Sequence, residues 1–314
     1  MTTRAFWTIA PGHGELRDEA LPPPAAGEYR VVARASAISR GTEATVFAGR
    51  VPPSQFDAMR APLMGGTFPF PVKYGYSVVG DTEAGARVFV LHPHQQRFNA
   101  PAAMCIPVPA GLPDHRATLA ANMETALNIV WDAAPLPGER ISVIGAGVVG
   151  LLTASLLARI PATEVTVVDI DASRAALAHA FGCAFATPDT APAERELIIH
   201  ASGSEAGLRH ALASAGFEAR IIEASWFGDR TASLPLGETF HARRLRIVAS
   251  QVGAVSPAMR GRRTYGERLA MALALLAAPA YDLLIDQVVR FADLPRRMPA
   301  LLAGGLCHVV SYED

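Results

Sequence analysis

Three glycines lie between an apolar, β-branched run and a run rich in leucine and alanine, in the segment ISVIGAGVVGLLTASLLAR at 141–159. Gly145, Gly147 and Gly150 have the G-x-G-x-x-G spacing, and Asp169 follows about 20 residues later. A strand before the motif, a helix after it and an acidic residue at this distance are typical of a turn that binds the pyrophosphate of a dinucleotide. The first glycine permits the tight turn, the second leaves room for phosphate, and the third lets the helix pack on the sheet.

The backbone amides that open the following helix bind phosphate, so Val148 and Val149 join the three glycines as predicted cofactor contacts. Asp169 is expected to accept hydrogen bonds from the adenosine ribose hydroxyls, with Ile170 beside it. Because the negative charge of Asp169 would repel a 2′-phosphate, NAD is favoured over NADP. The alternative interpretation is a tight turn that holds no ligand.

A second group of polar residues follows the apolar run Leu197-Ile198-Ile199. His200 ends a predicted strand of a parallel sheet, and the carboxyl ends of such strands face the ligand crevice. His200 therefore either contacts the cofactor or is a hydrogen-bonded core histidine. Ser202 and Gly203 follow in a turn, where the nicotinamide ribose would lie close to the backbone.

The pattern of predicted secondary structure, which must position these residues, changes near residue 115. Residues 1 to about 110 contain short β-like runs between frequent Pro and Gly, which indicates a compact, largely β domain. Strand and helix patterns then alternate, which predicts βαβ units around a parallel sheet and an α/β fold class. The predicted elements are the strands 141–144, 164–168, 197–199, 219–223 and 245–249, and the helices 117–134, 149–159, 173–180 and 269–277. The arginines before the last helix, Arg260, Arg262, Arg263 and Arg268, are expected to form a solvated face.

Composition excludes several classes of function. The 314 residues carry 28 basic and 29 acidic side chains, so the net charge of −1 gives no electrostatic reason to expect nucleic acid or an anionic membrane as a partner. The three cysteines are isolated in sequence and form no C-x-x-C pair, so a cysteine-built structural zinc site is not expected. The N-terminal segment has no apolar core of signal-peptide length, so a cytoplasmic enzyme is expected.

The arrangement resembles the medium-chain dehydrogenase/reductase superfamily over nearly the whole chain. The residues that carry the resemblance are Gly41-Thr42-Glu43, Gly75 in KYGYSVVG, Gly85-Ala86-Arg87-Val88, Met123-Glu124-Thr125-Ala126 and the glycine turn. The resemblance implies a GroES-like catalytic domain at 1–115 and a Rossmann domain with a doubly wound parallel sheet at 116–255. Residues 256–314 would complete the Rossmann domain and return to pack on the catalytic domain. The stretch AISRGTEATVFAGRVPP is similar to the branch that contains bacteriochlorophyllide dehydrogenases, and FHARRLRIVASQVG is similar to that branch's last dinucleotide-domain strand.

Both positions that supply the first zinc ligands in the zinc-dependent members differ in this chain. Arg40 stands where those enzymes have cysteine, and Tyr76 stands where they have histidine. The segment VLHPHQQRFNAP also lacks the four cysteines of their structural zinc lobe. Arginine cannot deprotonate to bind a metal, and tyrosine is a poor zinc ligand. The resemblance therefore implies a member that works without zinc, and no metal ligand is predicted.

Other groups must then replace the polarising metal ion, whose contribution is several kcal/mol. Glu124 matches a glutamate that lies near the metal in the polyol and threonine dehydrogenases, which suggests an Arg40–Glu124 ion pair. Arg40 would serve as a fixed positive group, or it would only neutralise Glu43 or Glu124. Thr42 matches the hydroxyl that shuttles the alcohol proton, or it stabilises a turn. Tyr76 would donate a proton to a nascent alkoxide or enolate, or it packs as an aromatic residue.

Three further side chains are predicted to line a substrate pocket: His92, His94 and Trp226. The two histidines share a face if the chain is extended, but no convincing third metal ligand accompanies them. Several phenylalanines near the expected cleft between the domains suit a fairly bulky small-molecule substrate.

The predicted function is a zinc-independent, NAD(H)-dependent oxidoreductase that acts on a carbonyl or a secondary alcohol. One alternative is reduction of an activated double bond in an enone or quinone, which needs no strong Lewis acid. Another is a dinucleotide-binding module that senses redox state without turnover. The resemblance also implies a homodimer in which the edge strands of two dinucleotide sheets pair, with 245–249 as the expected strand.

Overall fold

A computed structural model of the chain describes residues 1–313. It divides into two compact units, one formed by residues 1–121 together with the segment from Leu269 onward, and one formed by residues 122–268. Both units combine helices with β-sheets, so the α/β class is confirmed. None of the helices in residues 1–313 has the length and apolar character needed to cross a lipid bilayer.

The first unit begins as a β-rich segment, as its many short apolar runs predict. Its strands are β1 (Thr2–Ala10), β2 (His13–Ala20), β3 (Glu28–Ile38), β4 (Gly65–Gly66), β5 (Val72–Lys73), β6 (Val78–Thr82), β7 (Arg87–Val90), β8 (Arg97–Pro101) and β9 (Ile106–Pro107). Two helices belong to this segment, α1 (Arg40–Phe47) and α2 (Asp114–Ala117). One sheet has the strand order β2-β1-β5-β4, and its β1–β2 pair is an antiparallel hairpin.

The second unit is built on a six-stranded parallel sheet. Its elements are α3 (Ala120–Ala133), β10 (Arg140–Ile144), α4 (Val148–Leu157), β11 (Glu164–Val168), α5 (Ala175–Ala180), β12 (Ala184–Ala186), β13 (Arg195–His200), α6 (Glu205–Ser214), β14 (Ala215–Glu223) and β15 (Arg246–Ala249). The helix α7 (Tyr265–Leu275) begins in this unit, and its residues from Leu269 onward belong to the first unit. The strand order is β12-β11-β10-β13-β14-β15. This is the doubly wound order of dinucleotide-binding folds, in which the strand order reverses between the first and fourth strands, here β10 and β13.

The central strands β10, β11 and β13 of this sheet are largely buried, as expected for β-branched and aliphatic runs without alternation. Ile144, Val168 and Ile198 pack with Leu208 and Leu212 of α6 in one core cluster. This core fixes the positions of the loops that follow β10 and β13.

The chain ends in the first unit with β16 (Ile285–Arg290), α8 (Leu294–Ala303) and β17 (Cys307–Ser311). β17 pairs antiparallel with β3, which gives the second sheet of this unit the order β16-β17-β3-β6-β7-β9, with β8 also paired to β3. Leu294, Met298 and Leu301 of α8 pack with Phe6 and Phe47 in one core cluster.

The predicted helices 149–159 and 173–180 are observed within two residues of their predicted ends, and the other two predicted helices differ more. The predicted helix 117–134 is split into α2 and α3, and the Ser77 hydroxyl donates to the Thr118 carbonyl at the break. The predicted helix 269–277 starts earlier, because Thr264 and Glu267 form a capping box. The Thr264 N–H donates to the Glu267 carboxylate at 2.8 Å, and the Glu267 N–H donates to the Thr264 hydroxyl at 3.2 Å.

Candidate functional site

The glycine turn joins β10 to α4 at the point where the strand order reverses. Gly145 has φ +108°, and a Cβ there would lie 2.8 Å from the backbone of Ala201 and Ser202. A Cβ at Gly150 would overlap the carbonyl oxygen of Gly145. The fold itself therefore requires glycine at these two positions, the first for backbone conformation and close approach, the second for packing of the helix on the turn.

Gly147 differs from the other two glycines, because the fold does not require it. Its φ of −78° and ψ of 178° suit any residue, and a Cβ there would meet no atom within 4 Å. Gly147 precedes Val148 at the start of α4, and no side chain caps this helix. The first-turn N–H groups and the positive end of the helix dipole thus face open space, which fits the pyrophosphate of a dinucleotide.

Asp169 lies beside this turn at the end of β11. Its Oδ2 accepts the Ala146 N–H at 2.6 Å, and its Oδ1 accepts the Asp171 N–H at 2.9 Å. Each carboxylate oxygen can accept more than one hydrogen bond, so ribose hydroxyls can still bind. Ile170 is 88% exposed next to it. The predicted cofactor residues of the turn and of β11 are therefore brought together, although their role stays a prediction.

The turn after β13 approaches the glycine turn and carries the second predicted group. His200 is buried, and its Nδ1 lies 2.6 Å from Glu223 Oε2 at the end of β14. Its Nε2 lies 2.7 Å from the Ser202 hydroxyl. The Gly203 N–H donates to the Ser225 hydroxyl at 3.0 Å, and the Ser225 N–H donates to Glu223 Oε1 at 2.7 Å. His200 is thus a hydrogen-bonded histidine at the carboxyl edge of the sheet.

Sequence reasoning missed Glu223 and Ser225 in this cluster. A signal was present, because Glu223 is an acidic residue at the carboxyl end of a predicted parallel strand, next to the strand that ends at His200. Carboxyl ends of parallel strands lie at one edge of the sheet, so the strand predictions placed Glu223 and His200 at the same edge without pairing them.

In the first unit, the predicted residues Thr42 and Tyr76 lie together at the start of α1. The Tyr76 hydroxyl lies 2.5 Å from the Ser39 hydroxyl and also bonds to Thr42. Burial raises the pKa of Tyr76 to about 12, despite the two hydrogen bonds, which lower it. Tyr76 therefore remains a protonated donor at neutral pH. Arg40 is the first residue of α1 and is partly exposed.

A buried hydrogen-bonded chain lies behind this group. Glu43 accepts the Ser39 N–H at 2.7 Å, and its other oxygen lies 3.0 Å from His94 Nε2. Nδ1 of His94 lies 2.7 Å from the Ser36 hydroxyl, which lies 3.0 Å from the Tyr312 hydroxyl. His94 was predicted to line a substrate pocket, and the structure places it in this internal chain.

His92 and His94 face different surroundings. The His92 ring stacks on Phe98 with 3.6 Å between ring centroids, and its Nδ1 lies 2.9 Å from the Pro93 carbonyl oxygen. Burial lowers the pKa of His92 to about 3, so the ring is neutral. Trp226 follows β14 in the second unit and is partly exposed. A substrate contact for any of the three stays a prediction. No group of three His, Cys, Asp or Glu side chains able to hold a metal occurs between Met1 and Glu313.

Glu124 has a partner in the second unit that the sequence did not suggest. Arg268 Nε lies 3.0 Å from Glu124 Oε1, and both side chains are buried. The expectation that Arg268 belongs to a solvated face is wrong, because it is 2% exposed, whereas Arg260, Arg262 and Arg263 are exposed. The Arg268 side chain is buried because Glu124, Asn128 and backbone carbonyls satisfy its donors. The Arg40–Glu124 pair stays a prediction.

Comparison with known proteins identifies the fold. No family model and no curated protein matches the sequence. An alcohol dehydrogenase from Escherichia coli CFT073 in complex with NADH is similar in structure, with 16% identity, 99% of each chain covered and a TM-score of 0.79. L-idonate 5-dehydrogenase from Escherichia coli K-12 is also similar, with 13% identity, 99% of each chain covered and a TM-score of 0.81.

A third similar structure is benzyl alcohol dehydrogenase from Acinetobacter calcoaceticus, with 15% identity, 100% of each chain covered and a TM-score of 0.79. The predicted fold, a GroES-like unit and a Rossmann unit with a parallel sheet, is therefore confirmed. At these identities the likeness is one of fold.

Proposed function

We propose that this protein is an oxidoreductase that uses NAD and acts on a carbonyl or secondary alcohol of a fairly bulky small molecule. The observation that carries the proposal is the open space at Gly147, at the uncapped start of α4 and beside the Asp169 carboxylate. A glycine that the fold does not need, at the place where phosphate would approach the helix, is explained by a ligand. The dehydrogenase names of the similar structures agree with this class of reaction.

The residues that would hold the cofactor belong to the second unit. The glycine turn with Val148 and Val149 would bind the pyrophosphate, and Asp169 with Ile170 would bind the adenosine. Ser202 and Gly203 would lie near the nicotinamide ribose. Bound nicotinamide supplies hydride-transfer chemistry, while the protein supplies orientation and electrostatics. The carboxylate of Asp169 would repel the 2′-phosphate of NADP.

In this proposal the reaction proceeds without zinc, because Arg40 and Tyr76 are not zinc ligands. Tyr76 remains a proton donor at neutral pH, since burial raises its pKa to about 12. The Thr42 side chain is hydrogen-bonded to the Tyr76 hydroxyl. Arg40 would supply a fixed positive charge, giving charge-assisted hydrogen bonds of about 1.5–3 kcal/mol each. In this proposal Glu124 has a structural role, which its buried ion pair with Arg268 supports.

The cofactor proposal is tested by fluorescence titration with NADH and NADPH, with metal content measured on the same sample. We expect NADH to bind at least about tenfold more tightly than NADPH, a difference of about 1.4 kcal/mol. Asp169→Ser should reduce that preference, and Asp171→Ser is the matched control. A protein that binds neither nucleotide would contradict the proposal. A stoichiometric metal ion would contradict the zinc-independent reaction only.

The reaction class is tested by following NADH oxidation with aldehydes, ketones and quinones. Arg40→Met should slow turnover about tenfold or more, because one charge-assisted hydrogen bond is lost, while NADH affinity stays unchanged. Unchanged turnover in Arg40→Met would remove the electrophile role of Arg40. Product analysis with an enone and its saturated alcohol separates carbonyl reduction from double-bond reduction.

A further inference from the structure

The cluster at the carboxyl ends of β13 and β14 has the order of an acid, a base and a nucleophile. Glu223 contacts Nδ1 of His200 at 2.6 Å, and Ser202 contacts Nε2 at 2.7 Å. A carboxylate can only accept, so Nδ1 of the neutral ring carries the proton. The lone pair on Nε2 then faces the Ser202 hydroxyl, which is the arrangement that activates a serine in a Ser-His-acid triad.

The base is held rigidly, while the serine is accessible. His200 is 0% exposed, and its carboxylate partner is itself fixed by the Ser225 N–H. Ser202 is exposed, and besides His200 its hydroxyl contacts Ser204, whose hydroxyl lies 2.9 Å away and whose N–H donates to Ser202 Oγ at 3.3 Å. A buried, oriented base beside an exposed hydroxyl is the requirement for nucleophilic catalysis by serine.

Helix α6 packs against the cluster through a glycine. A Cβ at Gly207 would overlap Ser202 Oγ and would lie 2.9 Å from His200 Nε2. The absence of a side chain at Gly207 lets the start of α6 approach the hydroxyl. The first-turn N–H groups of this ten-residue helix lack intrahelical acceptors, and Ser204 caps only the N–H of Gly207. They offer positive potential for an oxyanion that forms at Ser202.

A second chain of the same residue types serves as a contrast. In the first unit, Glu43 contacts His94 at 3.0 Å, and His94 contacts Ser36 at 2.7 Å. Ser36 is 0% exposed, so no substrate can reach its hydroxyl. Exposure of the serine therefore distinguishes the β13–β14 cluster from an internal hydrogen-bond chain.

We propose that Ser202 is a nucleophile that reacts with carboxylic esters and thioesters. Its Oγ bonds to the carbonyl carbon while its proton passes to Nε2 of His200, and Glu223 stabilises the imidazolium. The bond from the carbonyl carbon to the leaving oxygen or sulfur then breaks, and His200 returns the proton to that atom. Water hydrolyses the acyl-Ser202 ester by the same steps, which releases the carboxylic acid and restores the serine. This activity needs no hydride transfer, although the proposed cofactor site places Ser202 near the nicotinamide ribose.

The test is covalent labelling of the full-length protein with a fluorophosphonate, with the modified residue identified by peptide mass spectrometry. We expect one adduct, on Ser202, and a burst of p-nitrophenolate from p-nitrophenyl acetate. Ser202→Ala should abolish both signals. His200→Gln should slow labelling about a hundredfold or more, because general-base assistance is lost. Ser173, an exposed serine bonded to Asp171 without a histidine, is the internal control and should stay unmodified.

Gly207→Ala gives a variant that does not remove any reacting group. Its Cβ should displace Ser202 and slow labelling, and circular dichroism checks that the variant is folded. Absence of an adduct on Ser202 in folded protein, or equal labelling rates in the wild type and His200→Gln, would overturn the proposal. Labelling of Ser202 in protein that fails to bind NADH would support the nucleophile and count against the oxidoreductase alone.

Discussion

At the scale of single residues, the three glycines of the turn have separable roles. Gly147→Ala should leave the free energy of unfolding within about 0.5 kcal/mol of the wild type, because the added Cβ enters open space. It should weaken NADH binding about tenfold or more, since the methyl group occupies the space of the phosphate. Gly150→Ala should cost about 1–3 kcal/mol or more, because its Cβ overlaps a backbone oxygen. Urea unfolding and NADH fluorescence titration measure the two effects.

The two variants control for each other, since both add one methyl group within the same turn. If Gly147→Ala bound NADH as tightly as the wild type, the phosphate would not lie at this turn. If Gly150→Ala were as stable as the wild type, the helix would not pack on the turn as the structure has it.

Residues whose roles depend on local spacing could be predicted from the sequence, whereas pairs of residues far apart in the chain could not. The glycine turn and Asp169 were predictable because their chemistry is local, with each residue's role following from spacing along one βαβ unit. The pairing of His200 with Glu223, and of Glu124 with Arg268, joins residues far apart in sequence. Such pairs depend on strand order and helix packing, which spacing along the chain does not encode.

At the scale of elements, Arg268 of α7 is bonded to two other segments of the second unit. It bonds to Glu124 and Asn128 of α3 at 3.0 and 2.6 Å, and to the Val252 carbonyl after β15 at 2.6 Å. Arg268→Met would leave the Glu124 carboxylate buried without its cation. We expect a loss of about 3–5 kcal/mol of stability at neutral pH.

That loss should depend on pH. Burial raises the pKa of Glu124, and the Arg268 guanidinium opposes the rise. A carboxyl whose pKa is raised by folding favours the folded state while the carboxyl is protonated. That stabilisation is lost as the pH rises through the folded-state pKa, because the buried carboxyl then ionises. Without Arg268 the pKa rises further, so Arg268→Met should lose less stability at pH 5 than at pH 8. Urea unfolding at both pH values measures this.

The double variant Glu124→Gln with Arg268→Met is the matched control, because it removes both buried charges. It should show little difference between the two pH values. An equal loss in Arg268→Met at pH 5 and pH 8 would mean that the ionised carboxylate is not the source of the instability.

Some strands and helices could be predicted from their own sequences, and others could not. The strand Glu164–Val168 was predicted at its observed bounds, because β-branched runs between turn signals mark buried parallel strands. The sequence analysis did not identify β2 or α1. β2 reads HGELRDEA and is polar, since it lies on the exposed side of a hairpin, and α1 starts with an arginine and a glycine rather than an apolar repeat. Their partners β1 and α8 stabilise them, and those contacts lie outside each segment's own sequence.

At the scale of the whole molecule, the homodimer implied by the resemblance remains our proposal, and β15 is where it should form. β15 is an outer strand of the six-stranded sheet, paired on one side with β14. Val248 of this strand is 42% exposed, and Ala249 is exposed as well. An outer strand with unpaired backbone groups and apolar side chains is suited to pairing with a second copy.

We therefore expect light scattering to give a mass about twice the chain's 33.2 kDa. Val248→Lys should shift the protein towards monomer, because a charged side chain on an outer strand opposes pairing with another strand. Phe217→Lys is the matched control, since it places the same charge at an exposed apolar residue that is 65% exposed on β14. NADH affinity should be the same in both variants, because neither position belongs to the glycine turn. A wild-type mass of one chain, or a Val248→Lys protein that keeps the mass of two, would exclude pairing through β15.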